Sequence, residues 1–194
     1  MNYPLYIEVK DKKYKINTSF KIAIKCNEIA KCEEIGKVER TLAIVYLLLG
    51  EEALEDFENY NDILRLIKQY LLCGKEEIKN DKEPDMDYVE DYSYIKTSFR
   101  SDYGMDIDKE DLHWWEFSDL MNGLSNSELG SCCILNRIRN LRNYDTSKVK
   151  DINERTKIEE AKRQVELKRN KAENHLTKEQ IRSIEELNKI IGIE

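Results

Sequence analysis

The residues able to do chemistry in this chain are few, and their spacing suits it poorly. There are two histidines, His113 and His175. His113 is followed directly by Trp114 and Trp115 in a stretch rich enough in apolar residues to be packed, so its ring reads first as a hydrogen-bonded structural group and only second as a general base. His175 lies in a highly charged C-terminal stretch. The five cysteines, Cys26, Cys32, Cys73, Cys132 and Cys133, show neither the C-x2-C spacing of a zinc ribbon nor an even pairing, and read as reduced thiols. No G-x-S-x-G, H-E-x-x-H, Walker A or G-x-G-x-x-G string occurs, so neither a nucleophile elbow nor a phosphate cradle is signalled. The expectation is no cofactor, no metal site and no enzyme.

Paired acids occur as Asp85-Met86-Asp87 and Asp106-Ile107-Asp108. The run from Asp106 to Asp111 lacks the glycine that an EF-hand loop needs at its sixth position, where Asp111 stands, so helix capping and solvation explain these acids better than calcium does. Residues 81–111 hold 11 acids against 4 bases, whereas residues 137–171 hold 12 bases against 6 acids. That asymmetry predicts head-to-tail self-association, with Asp85 and Asp87 of one copy against Arg137, Arg139 and Arg142 of the next. A nucleic-acid regulator using Arg137 to Lys171 is an alternative. Interleaved acids and the overall charge of −7 oppose it, so nucleic acid is not the expected partner.

Aromatic residues are concentrated at Tyr92, Tyr94, Phe99, Tyr103, Trp114, Trp115 and Phe117. Most belong to a core. Adjacent tryptophans project about 100° apart on a helix, so Trp114 and Trp115 cannot easily face one core, and whichever is less covered becomes a candidate adhesive group together with Tyr94. Phe99 and Phe117 are candidates in the same patch.

Positioning these residues is the work of a helical protein. The chain has 194 residues, 37% of them charged against roughly 25% in an average protein, with only 7 Gly and 2 Pro. Its longest apolar run, Leu42 to Leu49, is far shorter than the ~20 residues that cross a bilayer, and no charged-then-apolar leader opens the sequence, so no membrane association is expected. Tyr6 to Val9 and Tyr14 to Ile16 flank a polar turn and predict a hairpin. Asn17, Thr18 or Ser19 caps a helix expected from Phe20 to Ile35. A second helix carries Val38, Leu42, Val45 and Leu49 and ends at Gly50; a third, capped by Asn61 or Asp62, carries Ile63, Leu64, Ile67, Tyr70 and Leu71 and stops at Gly74.

Residues 75–87 read as a loop and a possible internal boundary. Tyr88, Tyr92, Ile95, Phe99 and Tyr103 then predict a helix ended by Gly104. Another is expected from Lys109 to about Asn122, capped by Asp108, and one more after the capping box Ser125-Asn126-Ser127-Glu128, containing Leu129, Ile134, Leu135, Ile138 and Leu141. From residue 144 the composition shifts, and 21 of the 45 residues in 150–194 are charged. The organisation expected is a mainly α fold with a small N-terminal β-hairpin, as a helical core over 1–143 and a charged helical extension over 144–194. Within the extension, Ile158, Ala161 and Val165 form a thin stripe, and Thr177 to Gln180 begins a last helix with Ile181, Ile184, Leu187 and Ile190 on one edge. Such an edge suits another chain.

The stretch Tyr94-Ile95-x-x-Ser98-Phe99, then Tyr103-Gly104-x-Asp106, then Leu112-His113-Trp114-Trp115-x-Phe117, Leu120 and Gly123-Leu124 resembles the bacteriophage gene-product-fifteen family of long-tailed phage and prophage tail modules. The hairpin followed by Ile16-Asn17-Thr18, and Cys73-Gly74-Lys75, are similar to it as well; the similarity runs from about residue 6 to 143. The resemblance implies a tail assembly chaperone, encoded close to the tape-measure gene. It would hold the tape measure protein soluble in the host cytoplasm while tail tube subunits polymerise around it, and be absent from the mature virion. A structural tail protein retained in the virion is the rival reading.

Overall fold

The computed structural model describes residues 3–76, 84–126 and 131–168. Its first element is the expected hairpin. Strands β1 (Tyr6–Val9) and β2 (Lys12–Lys15) pair antiparallel, with Ile7 opposite Tyr14 and Tyr6 opposite Lys15. The two-residue side-chain period buries Ile7, Val9 and Tyr14 and leaves Tyr6, Glu8, Lys13 and Lys15 outside. The chain then runs on through α1 (Phe20–Lys31), α2 (Lys37–Leu49), α3 (Glu51–Glu55), α4 (Tyr60–Leu71), α5 (Tyr92–Tyr103), α6 (Trp114–Asn122), α7 (Ile134–Arg142) and α8 (Ile152–Val165). The fold is mainly α with one small hairpin. No helix among the described residues is long and apolar enough to cross a membrane.

Helices α1, α5 and α6 meet through a stack of phenyl rings. Phe117 lies 4.5 Å from Phe20 and 5.3 Å from Phe99, centroid to centroid and nearly parallel in both cases, and Trp114 adds a third face at 5.9 Å. All four side chains are buried. Burying an aromatic side chain of this size contributes on the order of 1.5–3 kcal/mol, so this stack anchors the fold. The Ile16 N–H extends the hairpin ladder to the Leu5 carbonyl at 3.0 Å, and the Asn17 N–H ties it to the end of α2 at the Leu48 carbonyl, 2.7 Å away.

Several helix ends differ from expectation. Helix α1 stops at Lys31 rather than Ile35; Arg40 donates to the Ala30 carbonyl at 3.1 Å, meeting one of the free carbonyls of the last turn, and Ile35 is left exposed. Ser19 stands at its N-cap without a side-chain bond. Helix α4 begins at Tyr60, and Asn59, in the cap position, turns its amide to Asp56 instead. Helix α6 begins at Trp114 and not at Lys109. Its cap is His113, whose Nδ1 accepts from the Trp115 N–H at 3.0 Å, while Asp108 takes Tyr92 and Lys96. Helix α7 begins at Ile134 with the Cys133 sulfur as cap, after Asn126 has bridged to Cys132; Ser125 and Asn126 are not helical, and Ser127, Glu128 and Leu129 lie outside the described residues.

Residues 144–168 fold back along the body. Asp151 caps α8 through the Glu154 N–H at 2.8 Å, α8 packs on α7, and Leu167 beyond it is buried to 1% exposure.

Candidate functional site

The aromatic patch resolves into core and collar. Phe99, Phe117 and Trp114 are buried, which corrects their assignment to an adhesive surface: they hold α1, α5 and α6 together and have nothing to offer a partner. Trp115 is the less covered tryptophan, and Tyr94 is half-buried beside the core. The two indoles share one task. Trp114 Nε1 donates to the Leu71 carbonyl at 3.0 Å, and Trp115 Nε1 donates to the Tyr70 carbonyl at 2.9 Å. These are consecutive carbonyls in the last turn of α4, where a helix runs out of i+4 donors; the Tyr70 carbonyl also accepts from the Cys73 N–H at 3.0 Å. The 100° divergence of adjacent side chains is what lets one dipeptide reach both.

His113 completes the collar. With Nδ1 accepting at the α6 cap, Nε2 is the protonated nitrogen and donates to the Pro4 carbonyl at 3.0 Å. Its ring stacks on Tyr3 at 5.0 Å. Both ring nitrogens are thereby occupied by backbone groups, so the ring serves structure.

The charged stretches meet inside one chain. Asp91, 1% exposed in its side chain, takes both terminal nitrogens of Arg142, at 2.7 Å each. Arg142 also donates to the Asp85 carbonyl at 2.8 Å and the Val165 carbonyl at 2.6 Å. Asp85 pairs with Arg139 at 3.2 Å, and Asp87 with Lys31 at 2.8 Å. Asp85, Asp87, Arg139 and Arg142, expected to meet across copies, thus each have a partner within one chain. Arg137 points outward. A mixed-charge cleft of about 370 Å³, lined by Arg142, Glu159, Lys162, Arg163 and Glu166, lies beside this junction.

Two further acid clusters are structural. Asp56, buried under the hairpin, accepts from the Tyr14 hydroxyl, from Asn59 at 2.8 Å and from Lys12 at 3.1 Å, and these partners hold its carboxyl down at about 2. Burial and the same bond push the Tyr14 hydroxyl up to about 12. Asp108 is lowered by Lys96 and Tyr92, and Asp106 is lowered, against the effect of burial, by Lys96 and Arg100. Among the described residues, no group of three or more His, Cys, Asp or Glu is placed to share a metal ion.

What the structure leaves open is an apolar strip that includes Val38 and Leu42 of the expected second-helix stripe. On α2, Val45, Leu48 and Leu49 face inward. Val38, Leu42 and Tyr46, at steps of four, are 67%, 40% and 51% exposed, and Ile35, in the bend before the helix, is 41% exposed. Tyr46 lies on the rim of a shallow depression lined by Lys15, Ile16 and Leu49, which joins the strip to the outer face of the hairpin. The strip was hidden by the run Leu42 to Leu49, which is apolar at every position and so fits two faces equally well. Ile181, Ile184, Leu187 and Ile190 lie outside the described residues.

A family model described as Bacteriophage Gp15 protein matches residues 1–167. No curated protein and no solved structure matches the chain.

Proposed function

The chain belongs to the Bacteriophage Gp15 protein family, and from that membership we propose that it is a tail assembly chaperone, which binds and solubilises the helical tape measure protein in the host cytoplasm and hands it to tail tube subunits. The observation that carries this reading is the α2 strip. Val38, Leu42 and Tyr46 present an apolar ridge at helical spacing to solvent, with Ile35 exposed just before the helix; of the other aromatic side chains among the described residues, Phe57 at 83% is the most exposed. An amphipathic client helix would lay its own apolar edge along such a ridge.

A chaperone must also let go. The exposed ridge, together with the half-buried Trp115 and Tyr94 elsewhere in the chain, offers contacts of modest energy that tube subunits can replace, whereas a deep pocket would hold too firmly. The polar groups that might have argued for chemistry support the same reading. His113 caps a helix, Asp91 and Arg142 hold two regions together, and Asp56 secures the hairpin. The edge Ile181, Ile184, Leu187 and Ile190 would supply a second grip, and a second copy of the chain is a further proposed partner.

Co-expression tests the proposal. The tape measure protein encoded beside this gene should be soluble with the wild-type chain and aggregate with the variant Val38→Ser/Leu42→Ser/Tyr46→Ser, whose own circular dichroism and melting should match wild type. Equal solubility with both proteins would remove α2 from the account. Recovery of the chain from purified particles by mass spectrometry would favour the retained structural protein instead.

A further inference from the structure

We infer that residues 144–168 form a strap that leaves the body as one unit, hinged after Arg142 and latched at Leu167, so that its release uncovers the face of α7. Bonds are unevenly distributed along this segment. Inside the strap they are dense. Lys162 donates to the Tyr144 carbonyl at 2.6 Å, Thr146 donates to Glu159 at 3.3 Å, Arg155 donates to Glu159 at 2.9 Å, and Asp145 and Asp151 each cap the turn that follows them. The lead-in loop is therefore fastened to α8 from end to end.

Between strap and body the described bonds gather at one end. Arg142 Nε reaches the Val165 carbonyl at 2.6 Å, the Lys168 N–H reaches the Glu90 carboxylate at 3.0 Å, and Leu167 inserts between them at 1% exposure. No residue of α8 itself is buried, and Ile152 at its start is 79% exposed. A segment with strong internal ties, little buried apolar surface and one buried anchor opens as a sub-global unit well before the molecule unfolds.

Arg142 makes this release cheap for the body. Its charge is answered by Asp91 whether or not Val165 is present, so the strap can depart without leaving a buried ion unpaired.

Hydrogen exchange of the full chain, followed by mass spectrometry, tests this. In wild type, amides across 155–165 should share one opening constant, larger than that of α4 and α5. Leu167→Ala should speed all of them by a common factor of about thirty or more, including those near Arg155, with α4 and α5 unchanged. Glu90→Ala, on the body side and outside the core, should act in the same pattern by a factor of about three to ten. Acceleration confined to the last turn of α8, or spread equally over α4 and α5, or wild-type α8 exchanging only with the core, would overturn the inference.

Discussion

Asp91 and Arg142, 51 residues apart, form a buried bidentate ion pair at 2.7 Å that joins the start of α5 to the end of α7. It pairs one acid of the acidic stretch with one base of the basic stretch inside a single chain. Arg142→Ala should cost about 3–5 kcal/mol, because Asp91 would be left charged and unpaired at 1% exposure. Arg142→Lys should recover little of that loss, since one ammonium cannot meet both oxygens in the planar geometry of a guanidinium. Denaturant titration checks both variants. A loss under 1 kcal/mol would mean that the pair is peripheral.

Gly74 and Gly104 offer a matched comparison. Both have positive φ, 72° and 67°, so alanine at either should cost about 1–2 kcal/mol for the left-handed backbone. A Cβ at Gly104 meets nothing within 4 Å, whereas at Gly74 it lies 3.1 Å from Cη2 of the Trp115 ring. Gly74→Ala should therefore be the more damaging change, and Trp115→Phe should narrow the gap. Equal melting points for the two alanine variants would show that the indole yields freely.

Helix α6 depends on an imidazole cap. His113→Ala should destabilise by about 0.5–2 kcal/mol, and His113→Asn should restore much of the loss, because its side-chain oxygen can accept from the Trp115 N–H. Chemical denaturation of the three proteins gives the order. If Asn and Ala are equally poor, the Pro4 contact and not the cap is what matters.

The Tyr14–Asp56 bond sets a pH dependence at both ends. Asp56 sits at about 2, below its ordinary range, so its contribution is complete above pH ~4 and is lost as pH falls toward 2. Tyr14 sits at about 12, above its ordinary value, so its contribution is complete below pH ~10 and is lost as pH rises through 12. Asp56→Asn should flatten the acid limb relative to wild type, and Tyr14→Phe the alkaline one, in denaturation midpoints measured across pH. Parallel wild-type and variant curves would separate this bond from both limbs.

Much of the architecture was legible because its signals are local. The hairpin alternation around Ile7 and Tyr14, and the helix stops at Gly50, Gly74 and Gly104, each follow from a few neighbouring residues. The starts of α6 and α7 were misplaced for the opposite reason. Histidine and cysteine are unusual caps, and the acids and serines before them gave stronger capping signals that the fold spends elsewhere: Asp108 on Lys96 and Tyr92, Ser125 on backbone bonds with Cys133. The partners of Asp91, Arg142 and Trp115 are set by tertiary approach and carry no sequence spacing to read. On α2 the difficulty was surplus. Eight consecutive apolar residues cannot declare which three face inward, so the exposed strip emerged only with α1 in place.

The central claim, that α2 grips a client helix, is tested most directly by a photo-crosslinking amino acid placed at Leu42 in the full chain and activated in cells that also express the proposed client, a tape measure protein of the same phage. The account predicts a crosslinked product joining the two chains, reduced when Val38 and Tyr46 are changed to Ser. A soluble tape measure protein that never crosslinks to position 42 would contradict it.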